Sequence, residues 1–240
     1  MRVRRCADTE AVDAALFAEL GAALRGAQSG WIGFATGESY AGFFRLVSDA
    51  VRRGALDLGA MRATHLDEYV GCDPERAGGM VHELLARCPP LGDVLAAGRF
   101  LPVPPDGSEA SLAAHERRLA SGGGIALQLL GLGRNGHIAF NEPGTPFERG
   151  FHRTALAPET RVDALARFDP DEPPTEAVTA GPATILAARR VVVAATGVAK
   201  AEAVRDMLEG PVDPACPASV LRRHPECAVY LDEAAASRLA

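Results

Sequence analysis

The run Ile125-Ala126-Leu127-Gln128-Leu129-Leu130 leads without a break into Gly131-Leu132-Gly133-Arg134-Asn135-Gly136-His137. No other junction limits the fold as much. An apolar run of this length predicts a fully buried strand. Such strands belong to largely parallel sheets covered by helices on both faces. The glycines at its end let the backbone turn sharply and approach a ligand closely, because no Cβ stands in the way. His137 follows the third glycine and Glu142 lies five residues on. A proton-transfer group and a carboxylate thus fall at the C-terminal end of a buried strand, where open α/β sheets hold ligands.

Gly131-x-Gly133-x-x-Gly136 also has the spacing of a dinucleotide fingerprint. That motif requires a helix to open at the third glycine and receive a pyrophosphate at its N-terminus. Pro143-Gly144 follows too soon for a full-length helix. A nicotinamide or flavin cofactor is therefore disfavoured. An ordinary structural turn is the other plain reading, with His137 bonded to a carbonyl and Glu142 solvated. His137, Asn135, Asn141 and Glu142 in one glycine-rich loop at a strand end favour a functional site over that turn.

With 240 residues and 48% hydrophobic content, the chain can bury a proper core, in one large domain or two small ones. A net charge of −6, without long basic runs, argues against a nucleic-acid partner. The five cysteines are scattered without a Cys-x-x-Cys, which fits free thiols better than a disulfide framework or zinc site. Arg2, Arg4 and Arg5 have no apolar core behind them, so a secretory signal is not expected. No window has the length of a membrane span. A cytoplasmic protein with no membrane partner is expected.

Asp8 is placed to cap a helix bearing Val12, Leu16, Leu20 and Leu24 on one face. Trp31–Ala35 predicts a buried strand, followed by Thr36-Gly37-Glu38-Ser39 and a helix to about Arg53. A strand, a small polar loop and a helix start make an anion site from backbone N–H groups and the helix dipole, although many such loops are plain turns. A strand over Met61–Leu66 ends at Asp67-Glu68-Tyr69. An acidic pair there suits a general base as well as it suits a helix cap. Helices are expected over 73–87, 108–120 and 183–186, and from Pro158-Glu159-Thr160. Strands are expected at 191–195 and 228–231, with Phe100–Pro104 extended. Lys200 falls just inside a helix start, an unfavourable place for a cation that a bound anion would explain.

The stretch from Gly131 to Gly144 resembles the signature of the glucosamine-6-phosphate deaminases, close to Gly-x-Gly-x-(Asp/Asn)-Gly-His-Ile-(Ala/Gly)-Phe-Asn-Glu-Pro. Leu66-Asp67-Glu68-Tyr69 is similar to the deaminase Leu-Asp-Glu-Tyr motif, where the related 6-phosphogluconolactonases carry Asp-Glu-Arg. The resemblance runs in order from about residue 30 to 232. It implies a single domain over residues 1–240, a three-layer α/β sandwich with a mostly parallel, modified Rossmann-like sheet, and a small amino sugar phosphate as partner. No metal or organic cofactor is implied. Both homo-oligomers and monomers are compatible with it.

Residue by residue, the resemblance implies Asp67 as base at carbon 2 and His137 as the ring-opening group. Glu142 would orient His137, with Asn135 beside it at a position where many relatives have Asp. Thr36, Gly37, Glu38, Ser39, Gly136 and Lys200 would bind substrate and phosphate. Arg167 would clamp the phosphate, with Arg161 as the fallback. Residues 145–175 would form a lid. His152 and Thr154 replace the basic residues through which some relatives respond to N-acetylglucosamine 6-phosphate, so no such activation is expected. Two positions depart from the family. Glu38 takes a small residue's place and Tyr40 a proline's, which raises a different amino sugar as the substrate. A lactonase is a further reading on the same fold, as is a non-catalytic sugar-phosphate sensor.

Overall fold

The structure, a computed structural model, describes residues 1–26, 30–73, 75–157, 160–161, 168 and 174–240. Seven parallel strands form the main sheet in the order β1-β10-β9-β6-β2-β3-β5. Their ranges are β1 Arg2–Cys6, β2 Trp31–Phe34, β3 Arg62–His65, β5 Phe100–Leu101, β6 Ile125–Gly131, β9 Val191–Ala195 and β10 Cys227–Asp232. Three more, β4 Asp67–Tyr69, β7 His152–Ala155 and β8 Glu176–Thr179, make a small antiparallel sheet in the order β4-β8-β7. The α/β class and the parallel sheet read from the sequence are thus observed.

The helices are α1 Thr9–Arg25, α2 Ala41–Arg52, α3 Met80–Arg87, α4 Pro90–Ala96, α5 Glu109–Ser121, α6 Pro182–Leu186 and α7 Ala201–Glu209. Asp8 caps α1 by accepting a hydrogen bond from the Ala11 N–H at 2.8 Å. Val12, Leu16 and Leu20 are fully buried on its inner face. Ser108 caps α5 through the Ser111 N–H at 3.2 Å. Leu127, Leu129 and Leu130 of β6 and all of β9 are buried, as strands covered on both faces must be.

The helix expected over 73–87 opens later, at Met80. Asp73 closes a turn instead, its Oδ1 accepting from the Glu75 and Arg76 N–H groups at 3.0 Å each, and Gly78 has φ +87°. The helix expected from Pro158 lies largely outside the described residues, and so do residues 158–159, 162–167 and 169–173 of the candidate lid. Within that range, His152–Ala155 is strand β7, paired along β8 from His152 opposite Thr179 to Ala155 opposite Glu176.

The order of the strands decides where ligands can sit. From β2 the chain builds outward to β3 and β5, whereas from β6 it builds the other way to β9 and β10. β2 and β6 are neighbours, so the direction of winding reverses between them and opens a crevice beyond their C-terminal ends.

Candidate active site

A cleft of about 160 Å³ occupies that crevice. Four adjacent strands supply its walls from their C-terminal ends. Thr36 and Gly37 follow β2, Asp67 follows β3, Gly133 and His137 follow β6, and Lys200 follows β9. Carboxylate, imidazole and ammonium groups distant in sequence thus face one space.

After Gly131 the chain folds back on itself. The Gly133 N–H donates to His137 O at 2.8 Å and the Gly136 N–H to Gly133 O at 3.1 Å. No helix opens at Gly136, which accounts for the failure of the dinucleotide reading. The imidazole of His137 lies directly over Gly133. A Cβ there would fall 2.4 Å from its Cγ, Nδ1 and Cε1. Gly136 has φ +83° and packs against Cys216, so both conformation and space exclude a side chain. Ala139, on the cleft wall, takes φ +53°, a left-handed conformation that costs an alanine about 1 kcal/mol.

Behind His137 the polar groups form a connected set. Glu142 Oε2 stands 3.5 Å from His137 Nδ1, within ion-pair range but long for a hydrogen bond. Among the described residues His137 Nδ1 has no closer hydrogen-bond partner. Asn135 Nδ2 donates to the same Glu142 oxygen at 2.8 Å, and Asn135 Oδ1 accepts the His137 backbone N–H at 3.2 Å. Asn135 therefore holds the loop and the carboxylate, leaving the imidazole to Glu142. Thr160 Oγ1 donates to Glu142 Oε1 at 2.7 Å. Burial pushes the Glu142 pKa up, but the bonds from His137, Thr160 and Asn135 outweigh it and bring the pKa down to about 2.

The small sheet fixes the neighbouring segments. Asp67 pairs with Thr179 across β4 and β8, and Thr179 Oγ1 accepts the Phe140 N–H at 3.1 Å. Asn141, fully buried, donates through Nδ2 to Ile138 O and Ala180 O at 2.8 Å each. Tyr69 packs against Phe140 and Phe168 at ring distances of 5.4 and 5.1 Å. The acidic pair divides its work between the sheet's two sides. Asp67 lines the cleft, while Glu68 is buried and accepts the N–H groups of Tyr69, Met80 and Val81 at 2.8–3.0 Å. Burial raises the Glu68 pKa, partly offset by those three donors.

The expected anion loop splits in the same way. Thr36 and Gly37 line the cleft. Glu38 does not: its side chain is 78% exposed and pairs with Arg87 at the end of α3. Ser39 accepts a long bond from Thr196 Oγ1 at 3.4 Å and stands beside the wall, not on it. Gly136 likewise lies behind the wall. Tyr40 is fully buried and its hydroxyl donates to Leu130 O at 2.9 Å. Burial pushes its pKa well above the usual tyrosine range. Arg167 lies outside the described residues, and the fallback Arg161 is exposed. Among the described residues, no three His, Cys, Asp or Glu side chains cluster to hold a metal ion.

Three contributors went unread in the sequence as partners of this site. Thr160 bonds Glu142, Arg87 pairs Glu38, and both oxygens of Asp232 accept the Gly197 N–H at 3.1 and 2.9 Å, steadying the turn before Lys200. Each acts across a sequence gap that no local motif spans.

Fold and site together define an α/β protein with a carboxylate, an imidazole and a lysine at the switch point of a parallel sheet. The chain belongs to the family of glucosamine-6-phosphate isomerases and 6-phosphogluconolactonase, which matches residues 7–230. A glucosamine-6-phosphate deaminase of Bifidobacterium longum is 38% identical over 221 residues, covering 87% of this chain and 81% of that protein. One from Streptomyces coelicolor is 41% identical over 216 residues, with the same coverage. Among solved structures, a monomeric glucosamine-6-phosphate deaminase superposes with a TM-score of 0.89 at 30% identity, covering 99% of this chain and 100% of that one. A 6-phosphogluconolactonase from Trypanosoma brucei shares the fold, with a TM-score of 0.76 at 21% identity over 100% of this chain and 98% of that one. Among the described residues no helix is long and apolar enough to cross a membrane.

Proposed function

We propose that the protein is a glucosamine-6-phosphate deaminase, converting glucosamine 6-phosphate and water into fructose 6-phosphate and ammonia. The observation that carries this reading is the meeting of Asp67, His137 and Lys200 on one cleft at the switch point. Curated relatives with this activity at about 40% identity support it.

The substrate sugar is closed, and its carbon-2 proton becomes acidic only once carbon 1 is an aldehyde. His137 moves a proton between the anomeric hydroxyl and the ring oxygen, a task suited to imidazole near neutral pH. Glu142, anionic at that pH, holds the ring and balances any imidazolium. Asp67 then takes the carbon-2 proton, giving an enolamine, and returns it to carbon 1. The carbon 2–nitrogen double bond that results adds water, and the carbon–nitrogen bond breaks as nitrogen accepts a proton and leaves as ammonia. The Thr36–Gly37 loop and Lys200 hold the phosphate by backbone N–H groups and a point charge. Residues 145–175 serve as the lid and Arg167 as a further phosphate ligand in this reading.

Glu38 and Tyr40 raised the case for a different amino sugar. Their placement, one toward Arg87 and the other into the core, leaves the cleft wall to Thr36 and Gly37 and removes that reason. The test is ammonia release by purified protein from glucosamine 6-phosphate, with unphosphorylated glucosamine alongside. Release from the phosphorylated sugar alone is expected. Release from neither refutes the proposal, and hydrolysis of a 6-phosphogluconolactone in its place would assign the lactonase activity.

A further inference from the structure

Helix α3 touches both loops that the proposed reaction needs. At its N-terminus, Glu68 Oε1 accepts the Met80 N–H at 2.8 Å and Oε2 accepts the Val81 N–H at 3.0 Å. Glu68 directly follows Asp67 in β4. Met80 Sδ accepts a hydrogen bond from Thr36 Oγ1 at 3.2 Å, so the same residue also meets the anion loop. At the other end, Arg87 pairs with Glu38 of that loop and lies 3.9 Å from Glu83 of its own helix. Both ends follow the helix dipole, with a carboxylate at the N-terminus and a guanidinium in the last turn.

We propose that α3 is a strut that couples the loop Thr36–Ser39 to the loop carrying Asp67. Glu38, Arg87 and Glu68 are then positioning residues that touch no substrate. The inference rests on the reading of the cleft as a sugar-phosphate site. An eight-residue helix is a rigid rod of about 12 Å, long enough to span two neighbouring strand ends. A phosphate drawing on Thr36 and Gly37 pulls at Met80, and Met80 is bonded to the residue beside the base. Glu38 thereby acquires a role that its chemistry alone does not suggest. As an unattached carboxylate near an anion it would oppose binding; attached to Arg87 it anchors the loop to the helix.

The experiment measures inorganic phosphate affinity by isothermal titration calorimetry, and kcat and KM for ammonia release, on wild type and variants. The variants are Glu38→Gln, Arg87→Met, their double, and Glu68→Gln, with thermal melts for each. The strut predicts that Glu38→Gln and Arg87→Met each weaken phosphate binding and lower kcat by up to about fivefold, the most an exposed ion pair supports. The double variant should be no worse than either single, because both break one link. Glu68→Gln should weaken phosphate binding although it lies on the base side. Should Glu68→Gln fail to fold, Glu38 and Arg87 still decide the matter.

Tighter phosphate binding by Glu38→Gln overturns the strut, since that is what removing a merely repelling charge would give. So does a kcat that stays at the wild-type value in both single variants, or losses that add in the double. A wild-type protein that binds phosphate but releases no ammonia overturns the reaction instead. The strut is then judged on phosphate affinities alone. A wild-type protein that neither binds phosphate nor releases ammonia refutes both.

Discussion

Replacing Gly133 with alanine would set a Cβ 2.4 Å from three atoms of the His137 ring. Carbon contacts settle at about 3.5–4.0 Å, so the imidazole must retreat by roughly 1 Å or more. Cγ is one of the three atoms. A flip about χ2 therefore gives no relief, and the ring has to leave its χ1 well or drag the loop. The alanine itself would be at ease, because Gly133 does not have the left-handed φ that would strain it. A less flexible unfolded chain even favours the variant by about 0.4–1 kcal/mol. Misplacing a reacting group by about 1 Å costs on the order of 10²-fold in rate. That equals about 2.7 kcal/mol at the transition state. Steady-state ammonia release should therefore show kcat falling by about 100-fold while the melting temperature holds or rises. A kcat within about threefold of wild type would refute the idea that the ring's seat on Gly133 sets its catalytic position. Parallel losses of activity and stability would refute it too, by showing that the clash is absorbed by the fold.

Asp67→Asn should lower kcat by about 10³-fold with an unchanged melt, as loss of a general base does; unchanged turnover would remove Asp67 from the mechanism. The Glu142 carboxyl, usually near 4.5, is held down to about 2. Its contribution to stability is fully present above pH 4.5 and is lost as the pH falls toward 2. The gap in melting temperature between wild type and Glu142→Gln should shrink over that window, and a gap that is constant across it would contradict the assignment. Tyr40→Phe leaves the Leu130 carbonyl without its 2.9 Å donor and should destabilise the protein by about 1 kcal/mol while lowering kcat no more than Glu38→Gln does. A large rise in KM for the phosphorylated sugar would instead place Tyr40 in the site. N-acetylglucosamine 6-phosphate should not raise the rate. His152 holds a 3.0 Å contact with Gly150 O, and a rate rise with that ligand would show that the segment senses it despite carrying His152 and Thr154 at the two positions.

The walls of the site were legible because each is a local event. An apolar run ends in glycine or small polar residues, and Thr36, Asp67, Gly131–His137 and Lys200 all fall at such ends. The small sheet was not legible. β7 has the pattern of intermediate and exposed residues that any surface loop shows, and β4 is three residues long. The pairing of β4 with β8 joins segments more than a hundred residues apart, which periodicity cannot report. β1 was missed for a related reason. Arg2, Val3, Arg4 and Arg5 are exposed at the sheet edge, where charge protects an open strand and hides its apolar signal. The start of α3 was misplaced because its cap comes from Glu68, twelve residues before Met80, and not from the Asp73-Pro74-Glu75 cluster that resembles a cap.

The two departures from the family pattern show how distant partners decide what a residue does. Read locally, Glu38 threatens an anion loop and Tyr40 takes a proline's place in it. In the structure Tyr40 turns inward, packs edge-on against Phe43 at 5.8 Å, and bonds Leu130 O and Val192 O on the two neighbouring strands β6 and β9. Those strands end in Gly131 and Ala195, where the loops that carry His137 and Lys200 begin. One hydroxyl thus ties the turn after Thr36-Gly37 to both strands on the far side of the cleft. Glu38 ties the same turn to α3 on the near side through Arg87. The two substitutions act as a pair of anchors on opposite sides of one loop. Tyr40→Phe combined with Glu38→Gln should therefore loosen Thr36 and Gly37 more than either alone, seen as faster amide exchange at Gly37 with the core unchanged. Equal exchange in all three variants would mean that the loop is held by its own backbone and that neither departure contributes to it.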